Sequence, residues 1–183
     1  MHLTGTPILK TERCVLRRIV PDDYRMMYEN WAKFEEVCQF FPFHPIPDIE
    51  IYREKVNKWC SNYASPSYLH WVIEWNESGE VIGTINLGNV EETSEMADTA
   101  YMLSPRYWNM GIMTEVLQAV LAYAFEVAGF NRIQAEVFDG NAASACVLTK
   151  CGMQLEGIAR QKYHKDGQRI DAAQYAIVKQ DYE

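Results

Sequence analysis

The strongest constraint in the sequence is an apolar-periodic segment that follows a short polar loop. Apolar residues recur at helical spacing from Met113 to Phe125, and Gly129 stands where a left-handed C-terminal cap is expected. The pattern predicts a helix that begins near Asn109 to Gly111. A helix start exposes about four unpaired amide N–H groups at the positive end of the helix dipole. Because Gly111 has no side chain to obstruct them, the loop is either a phosphate-binding site or an ordinary helix N-terminus.

The segments on either side of this helix also have regular patterns. Residues 98–105 form an extended segment that ends in a proline, and residues 131–138 alternate like a strand. Residues 141–151 then predict a short helix, for which Asn141 is a candidate N-cap. The predicted order is strand, anion-binding helix, strand and capped helix.

The rest of the chain predicts an α/β scaffold in one domain, residues 1–183. Asp22 or Asp23 is expected to cap a helix that reaches Lys33, and Asp48 to cap a helix over residues 49–63. Turn residues at 76–79 and 165–167 predict two hairpins. Seven strands and four helices result; the strands are at 13–19, 69–75, 80–87, 98–105, 131–138, 153–160 and 169–179.

Composition excludes several functional classes. The net charge of −8, from 17 basic and 25 acidic residues, argues against nucleic-acid binding. The five cysteines include no Cys-x-x-Cys pair, and the histidines lack metal-binding spacing, so we expect reduced thiols and no metal. Residues 1–10 do not resemble a signal peptide, and no apolar run is long enough to span a bilayer. We therefore expect a cytoplasmic protein with no membrane partner.

Several motifs together resemble the GNAT superfamily of N-acetyltransferases. The family's helix-opening loop, Arg/Gln-x-x-Gly-x-Gly/Ala, corresponds to Trp108 through Met113, where only the first glycine, Gly111, is kept. The first-position Trp, the trailing Thr114-Glu115 and the Asn141-x-x-Ser144 pattern are similar to the RimJ/RimL-like branch, the type of the ribosomal-protein N-terminal acetyltransferases. The opening motif at residues 12–18 resembles the same branch.

The resemblance implies a fold and a cofactor. The implied fold is a central mixed, mostly antiparallel seven-stranded sheet, splayed between strands 4 and 5, with helices on both faces. The implied cofactor is acetyl-CoA, held by the splayed strand, the loop, the helix start and the last short helix. The corresponding residues are Tyr101, Met102, Leu103, Trp108, Asn109, Met110, Gly111, Ile112, Met113, Thr114, Asn141, Ser144 and Lys150.

The resemblance also implies direct attack of an amine on the acetyl thioester in a ternary complex. Asp98 corresponds to the family's glutamate and is the first candidate for the base, although a solvated carboxylate at a strand edge is an equal alternative. Glu136 and Asp171 are held in reserve. Leu148 occupies the position of the tyrosine acid of many relatives, and Ser144 is the candidate that contacts the cofactor sulfur.

The acceptor is the least constrained part of the prediction. An N-terminal α-amine of a protein or peptide is the first expectation, and a polyamine, amino acid or aminoglycoside the second. A catalytically silent acyl-CoA-binding module, a longer acyl donor, and a monomeric or homodimeric state all stay open. Candidate residues at the acceptor entrance are Trp31, Phe41, His44 and Trp71, for which burial in the core is the alternative.

Overall fold

The computed structural model describes residues 1–182, and in them eight strands form one mixed sheet. Their spatial order is β1-β2-β3-β4-β5-β6-β8-β7, and every neighbouring pair is antiparallel except β5 and β6. The strands are β1 (Leu9–Lys10), β2 (Cys14–Arg18), β3 (Leu69–Trp75), β4 (Val81–Glu91), β5 (Met96–Leu103), β6 (Arg132–Phe138), β7 (Gln154–Lys165) and β8 (Gln168–Val178).

Six α-helices accompany the sheet in the described chain. They are α1 (Tyr24–Met27), α2 (Glu35–Cys38), α3 (Ile49–Asn62), α4 (Ile112–Ala122), α5 (Ala142–Lys150) and α6 (Lys179–Tyr182). Helices α1 and α4 each continue into a π-helical segment, Tyr28–Ala32 and Tyr123–Ala128 respectively. Short 3₁₀ turns precede α1 at Pro21–Asp23 and the α4 loop at Pro105–Tyr107.

The structure confirms the α/β class and corrects the element count. The eighth strand is the two-residue β1, which pairs with Val15 and Leu16 at the sheet edge. The helix expected from Asp22 or Asp23 to Lys33 is divided into 3₁₀, α and π turns. The π turn places the Asn30 amide 2.7 Å from the carbonyl oxygen of Val81, and this tertiary hydrogen bond competes with regular helix geometry.

Two other local predictions are confirmed. Asp48 caps α3 by accepting a 2.7 Å hydrogen bond from the Glu50 N–H. Both hairpin turns are present, between β3 and β4 and between β7 and β8.

The sheet carries a separate apolar core on each face. On the face covered by α4, which we call the α4 face, the strands bury Trp71 and Ile85 against Val116, Leu117 and Phe125. On the opposite face, the α3 face, α1, α3 and the π turn after α1 pack on residues such as Val72 and Val81. The central strands are therefore covered on both faces, whereas β7 is mostly exposed.

Strands β5 and β6 separate after three residue pairs. The parallel register joins Met96 to Arg132, Ala97 to Ile133 and Asp98 to Gln134, and no pairing follows. Strand β5 nevertheless continues to Leu103 along β4, and β6 to Phe138 along β8. The splay expected between the fourth and fifth of seven strands is thus confirmed, since β1 is additional.

We expect Gly83→Ala to destabilise the protein because β4 and β5 approach closely there. A Cβ atom on Gly83 would lie 2.5 Å from the Met102 carbonyl oxygen. The expected loss is about 1–3 kcal/mol of unfolding free energy, measured by chemical denaturation. Gly88→Ala in the same strand is the control, because its Cβ would meet nothing closer than 3.6 Å. Equal losses in the two variants would contradict the explanation.

Candidate active site

The backbone of β5 directs alternate amides into the gap between β5 and β6. The Ser104 N–H donates to the Ile82 carbonyl at 2.8 Å, so amides of the same parity, including Met102, face β4. The amides of Tyr101 and Leu103 therefore face the gap. This alternation corrects the prediction that Met102 binds the cofactor through its backbone, because its N–H is used within the sheet. Tyr101 and Leu103 remain candidates for backbone contacts with a ligand.

The loop before α4 has the conformation of an anion-binding helix start. Asn109 and Gly111 both have positive φ, 61° and 74° respectively. The first hydrogen bond of the helix joins the Glu115 N–H to the Gly111 carbonyl at 3.1 Å. The amides from Gly111 to Thr114 precede that bond and form the unpaired helix start. Since Ile112 and Met113 have buried side chains, only their backbones can contact a ligand here.

An ion pair with Arg13 balances the charge of Glu115, the only acidic side chain of the first turn of α4. Arg13 donates from Nε to Glu115 at 2.7 Å, from its backbone N–H to the same carboxylate at 2.9 Å, and from Nη1 to the Met110 carbonyl at 2.9 Å. Burial opposes ionisation of Glu115, but hydrogen bonds from Thr11 and Arg13 outweigh it and lower the pKa of the carboxyl. Because Arg13 balances the charge of the ionised Glu115 carboxylate, the helix start still attracts anions.

The structural role of Arg13 was not predicted. The only sequence signal is its place in the opening motif of the family resemblance, because Glu115 is 102 positions further along the chain.

Trp108 occupies the first loop position, where the family has Arg or Gln. Its indole Nε1 donates to the Leu103 carbonyl at 2.8 Å, and the residue is 39% exposed. The indole therefore ties the loop to the end of β5 and leaves a partly exposed ring beside the helix start. Glu80 holds the preceding turn by accepting from Tyr107 Oη at 2.9 Å and from Arg106.

A pair of hydroxyl groups bridges β5 and α5. Tyr101 Oη lies 2.9 Å from Ser144 Oγ, and burial raises the pKa of this phenol well above its usual range. Asn141 accepts a 3.1 Å hydrogen bond from the Ser144 N–H, so its side-chain oxygen is the N-cap of α5. Only Asn141 Nδ2 then remains as a candidate donor to a ligand. Lys150 lies exposed at the far end of α5.

Asp98 lies at the last paired position before the strands separate. Its two carboxylate oxygens accept hydrogen bonds from Gln134 Nε2 at 2.7 Å and Asn89 Nδ2 at 2.6 Å. A carboxylate has about four lone-pair sites, so each oxygen can also accept from water. The neighbouring residues Ala97 and Thr99 are buried on the α4 face, so Asp98 projects toward the α3 face.

The two reserve carboxylates are in different surroundings. Glu136 on β6 accepts from Lys162 and from Tyr163 Oη; burial opposes its ionisation, but these two hydrogen bonds outweigh burial and lower the pKa of the carboxyl. Asp171 accepts from the Gln161 N–H at 2.7 Å and lines a cleft of about 390 Å³ beside the start of α5. Glu136 is therefore held as an ionised partner of a lysine.

The four predicted acceptor residues separate into two groups. Trp31 and Trp71 have no exposed surface, and the Trp71 indole donates to the Pro7 carbonyl at 2.7 Å. Both are core residues, which corrects the expectation that they line an entrance. Phe41 and His44 lie in the connection between α2 and α3, where Phe41 stacks on Phe43 with ring centres 5.0 Å apart.

Two absences hold for residues 1–182. In this part of the chain, no cluster of three or more His, Cys, Asp or Glu side chains is arranged to ligate a metal ion. None of its helices combines the length and apolar character that a bilayer span requires.

Comparison with known proteins independently identifies the family of the chain. Residues 13–154 match the model of an acetyltransferase (GNAT) domain. YoaA of Bacillus subtilis (strain 168), an uncharacterized N-acetyltransferase, is 32% identical over 94% of this chain and 97% of its own. YdaF of the same organism, provisionally assigned as a ribosomal N-acetyltransferase, is 27% identical over 94% of both chains.

A solved structure with the same fold contains ligands. It is spermidine N-acetyltransferase from Vibrio cholerae, in complex with CoA and spermine, with a TM-score of 0.80 and 18% identity over 92% of this chain and 97% of that one.

We expect Gly111→Asp to weaken acetyl-CoA binding at least tenfold, equivalent to about 1.4 kcal/mol, because a carboxylate would stand beside the bound phosphates. Gly111→Asn is the matched control, since Asn has the same size and, like Asp, tolerates the positive φ of 74°. It should bind within threefold of the wild type in calorimetric titration. Equal weakening by both variants would show that charge at the helix start is not what matters.

Proposed function

Because the chain belongs to the GNAT acetyltransferase family and is an acetyl-CoA-dependent N-acetyltransferase, we propose that its acceptor is the α-amine at the N-terminus of a protein or peptide. The observation that carries the proposal is the gap between β5 and β6. It has the helix start of α4 near one end and Asp98 at the other, so one groove can hold both reactants.

Backbone amides are proposed to bind the cofactor. The N–H groups from Gly111 to Thr114 suit the diphosphate, with Asn109 and Met110 in the same loop. The N–H groups of Tyr101 and Leu103 suit the pantetheine and the thioester carbonyl. Oriented amides facing a developing oxyanion are worth about 3 kcal/mol each in other enzymes, so this contribution can exceed that of any side chain.

Proton transfer is proposed to use Asp98 and Ser144. Acetyl-CoA supplies the thioester carbonyl that the amine nitrogen attacks. The attack forms a carbon–nitrogen bond, and Asp98 takes the proton of the amine through a bound water. The carbon–sulfur bond then breaks and releases CoA as its thiolate. Ser144 donates a hydrogen bond to the departing sulfur, which leaves readily because a thiol has a pKa near 8.5. The Tyr101 hydroxyl holds Ser144 in place.

The basicity of the acceptor favours an α-amine. At pH 7 an α-amine with a pKa near 8 is roughly 10% neutral, whereas a lysine is about 0.04% neutral. The difference corresponds to about 3.3 kcal/mol that the enzyme would otherwise supply. A single carboxylate acting through water is a modest base, so it suits the more acidic amine. The similarity to YdaF supports the same class of acceptor.

A small polyamine is the second candidate. The chain has a net charge of −8, and Asp98 projects from one of the two strands that border the gap. Such a surface attracts a cationic acceptor. The fold shared with spermidine N-acetyltransferase is consistent with this alternative.

The acceptor can be identified by mass spectrometry. The purified protein is incubated with labelled acetyl-CoA and three kinds of acceptor. These are peptides with a free N-terminal amine, lysine-containing versions of the same peptides with a blocked N-terminus, and spermidine. We expect label on the free α-amines and at least a tenfold lower rate on lysine side chains. Preferential labelling of spermidine would replace the first proposal with the second, and no labelling of any amine would reject both.

We expect Asp98→Asn to lower turnover more at pH 6.5 than at pH 9. At the lower pH little acceptor is neutral and the base is needed, whereas at pH 9 an α-amine is mostly deprotonated already. Asp181→Asn, an exposed change on α6, is the control and should have no effect at either pH. An equal loss at both pH values would make Asp98 a structural residue.

A further inference from the structure

Lys165 is a buried cation at the tip of the β7–β8 hairpin. It is 8% exposed, and its Nζ donates to the backbone carbonyls of Cys38 at 2.9 Å, Phe43 at 3.3 Å and Gln39 at 3.4 Å. Within residues 1–182 no carboxylate forms an ion pair with it, so these carbonyl dipoles replace its hydration. A buried charge is costly to desolvate, and such an arrangement persists only where the surrounding structure holds it.

Two further contacts hold residues 38–44, the segment whose carbonyls accept hydrogen bonds from Lys165. Lys55 of α3 lies 5.4 Å from the centre of the Phe43 ring, and His44 Nε2 lies 3.3 Å from an oxygen of Asp166. Residues 38–44, which we call the acceptor loop, contain no long helix or strand of their own. Their position therefore depends on contacts with α3 and with the hairpin.

The acceptor loop lies beside the open end of the gap, where β6 ends. A Cβ atom on Gly140 would lie 3.7 Å from the Phe40 ring, and Gly140 precedes the N-cap of α5. In the hairpin, the Tyr163 ring lies 4.6 Å from that of Phe138, the last residue of β6, and its hydroxyl reaches Glu136. Loop and hairpin thus meet at the end of β6, one of the two strands that border the gap.

We propose that Lys165 is a positioning residue for the acceptor: by binding three carbonyls it joins the acceptor loop to the β7–β8 hairpin and makes them one wall of the amine-binding groove. This inference rests on the proposed function, since it concerns the acceptor side. The loop's aromatic residues, Phe40, Phe41 and Phe43, then present a fixed apolar surface to the group that carries the amine.

The test compares Lys165→Met with Lys58→Met, which removes the same charge from an exposed position on α3. Hydrogen exchange should become at least tenfold faster in residues 38–44 of Lys165→Met only. With the peptide or amine that the wild type acetylates fastest, its acceptor KM should rise at least fivefold while the KM for acetyl-CoA stays within twofold. Lys165→Gln, which keeps two N–H donors, should be intermediate, and it carries the test if Lys165→Met does not fold.

Two results would overturn the inference. Unchanged exchange in residues 38–44 would show that Lys165 does not hold the loop, whether or not an acceptor is known. Faster exchange with an unchanged acceptor KM, or an equal rise of both KM values, would show that the loop is not an acceptor wall. Failure of the proposed function is distinguishable, because it is seen in the wild type without any variant: the wild type then labels spermidine in preference to α-amines, or labels no amine.

Discussion

The three-pair parallel junction between β5 and β6 is the constraint on which the rest of the structure depends. A continuous sheet would use the Tyr101 and Leu103 amides in strand pairing, whereas the divergence after Asp98 leaves them facing a gap. Backbone donors away from water need partners, and a ligand with carbonyl groups can provide them. Because β5 beyond Asp98 stays paired with β4, and β6 stays paired with β8, this opening costs few hydrogen bonds in the sheet.

The separation is maintained by contacts around the gap. The indole of Trp108 bonds the Leu103 carbonyl, and the Tyr101 hydroxyl reaches Ser144 on α5. The Cys151 thiol, at the end of α5, lies 3.5 Å from the Thr114 carbonyl in the first turn of α4. These contacts couple the loop, the strand and both helices, so the groove is largely formed before a ligand arrives, which reduces the ordering cost of binding.

Predictions from the sequence succeeded where the determinants are local. The apolar spacing of α4, the turn glycines and the Asp48 cap lie within a few residues of the structure they specify. The corrections and omissions involve partners distant in sequence. Trp31 and Trp71 are large aromatics whose burial depends on the layers packed over them. A lysine is usually exposed, but Lys165 is buried by contacts with residues more than 120 positions away in the sequence. The splay was expected only through the family resemblance.

The cofactor site illustrates how geometry can replace charge. Trp108 stands where the family has Arg or Gln, Arg13 is engaged by Glu115, and Arg106 is engaged by Glu80. In a chain with a net charge of −8, attraction of the coenzyme's phosphates then falls mainly on oriented amides. Amide dipoles act over a short range and require the correct approach. The Arg13–Glu115 pair therefore supports binding indirectly, by fixing the loop and balancing the negative charge of Glu115.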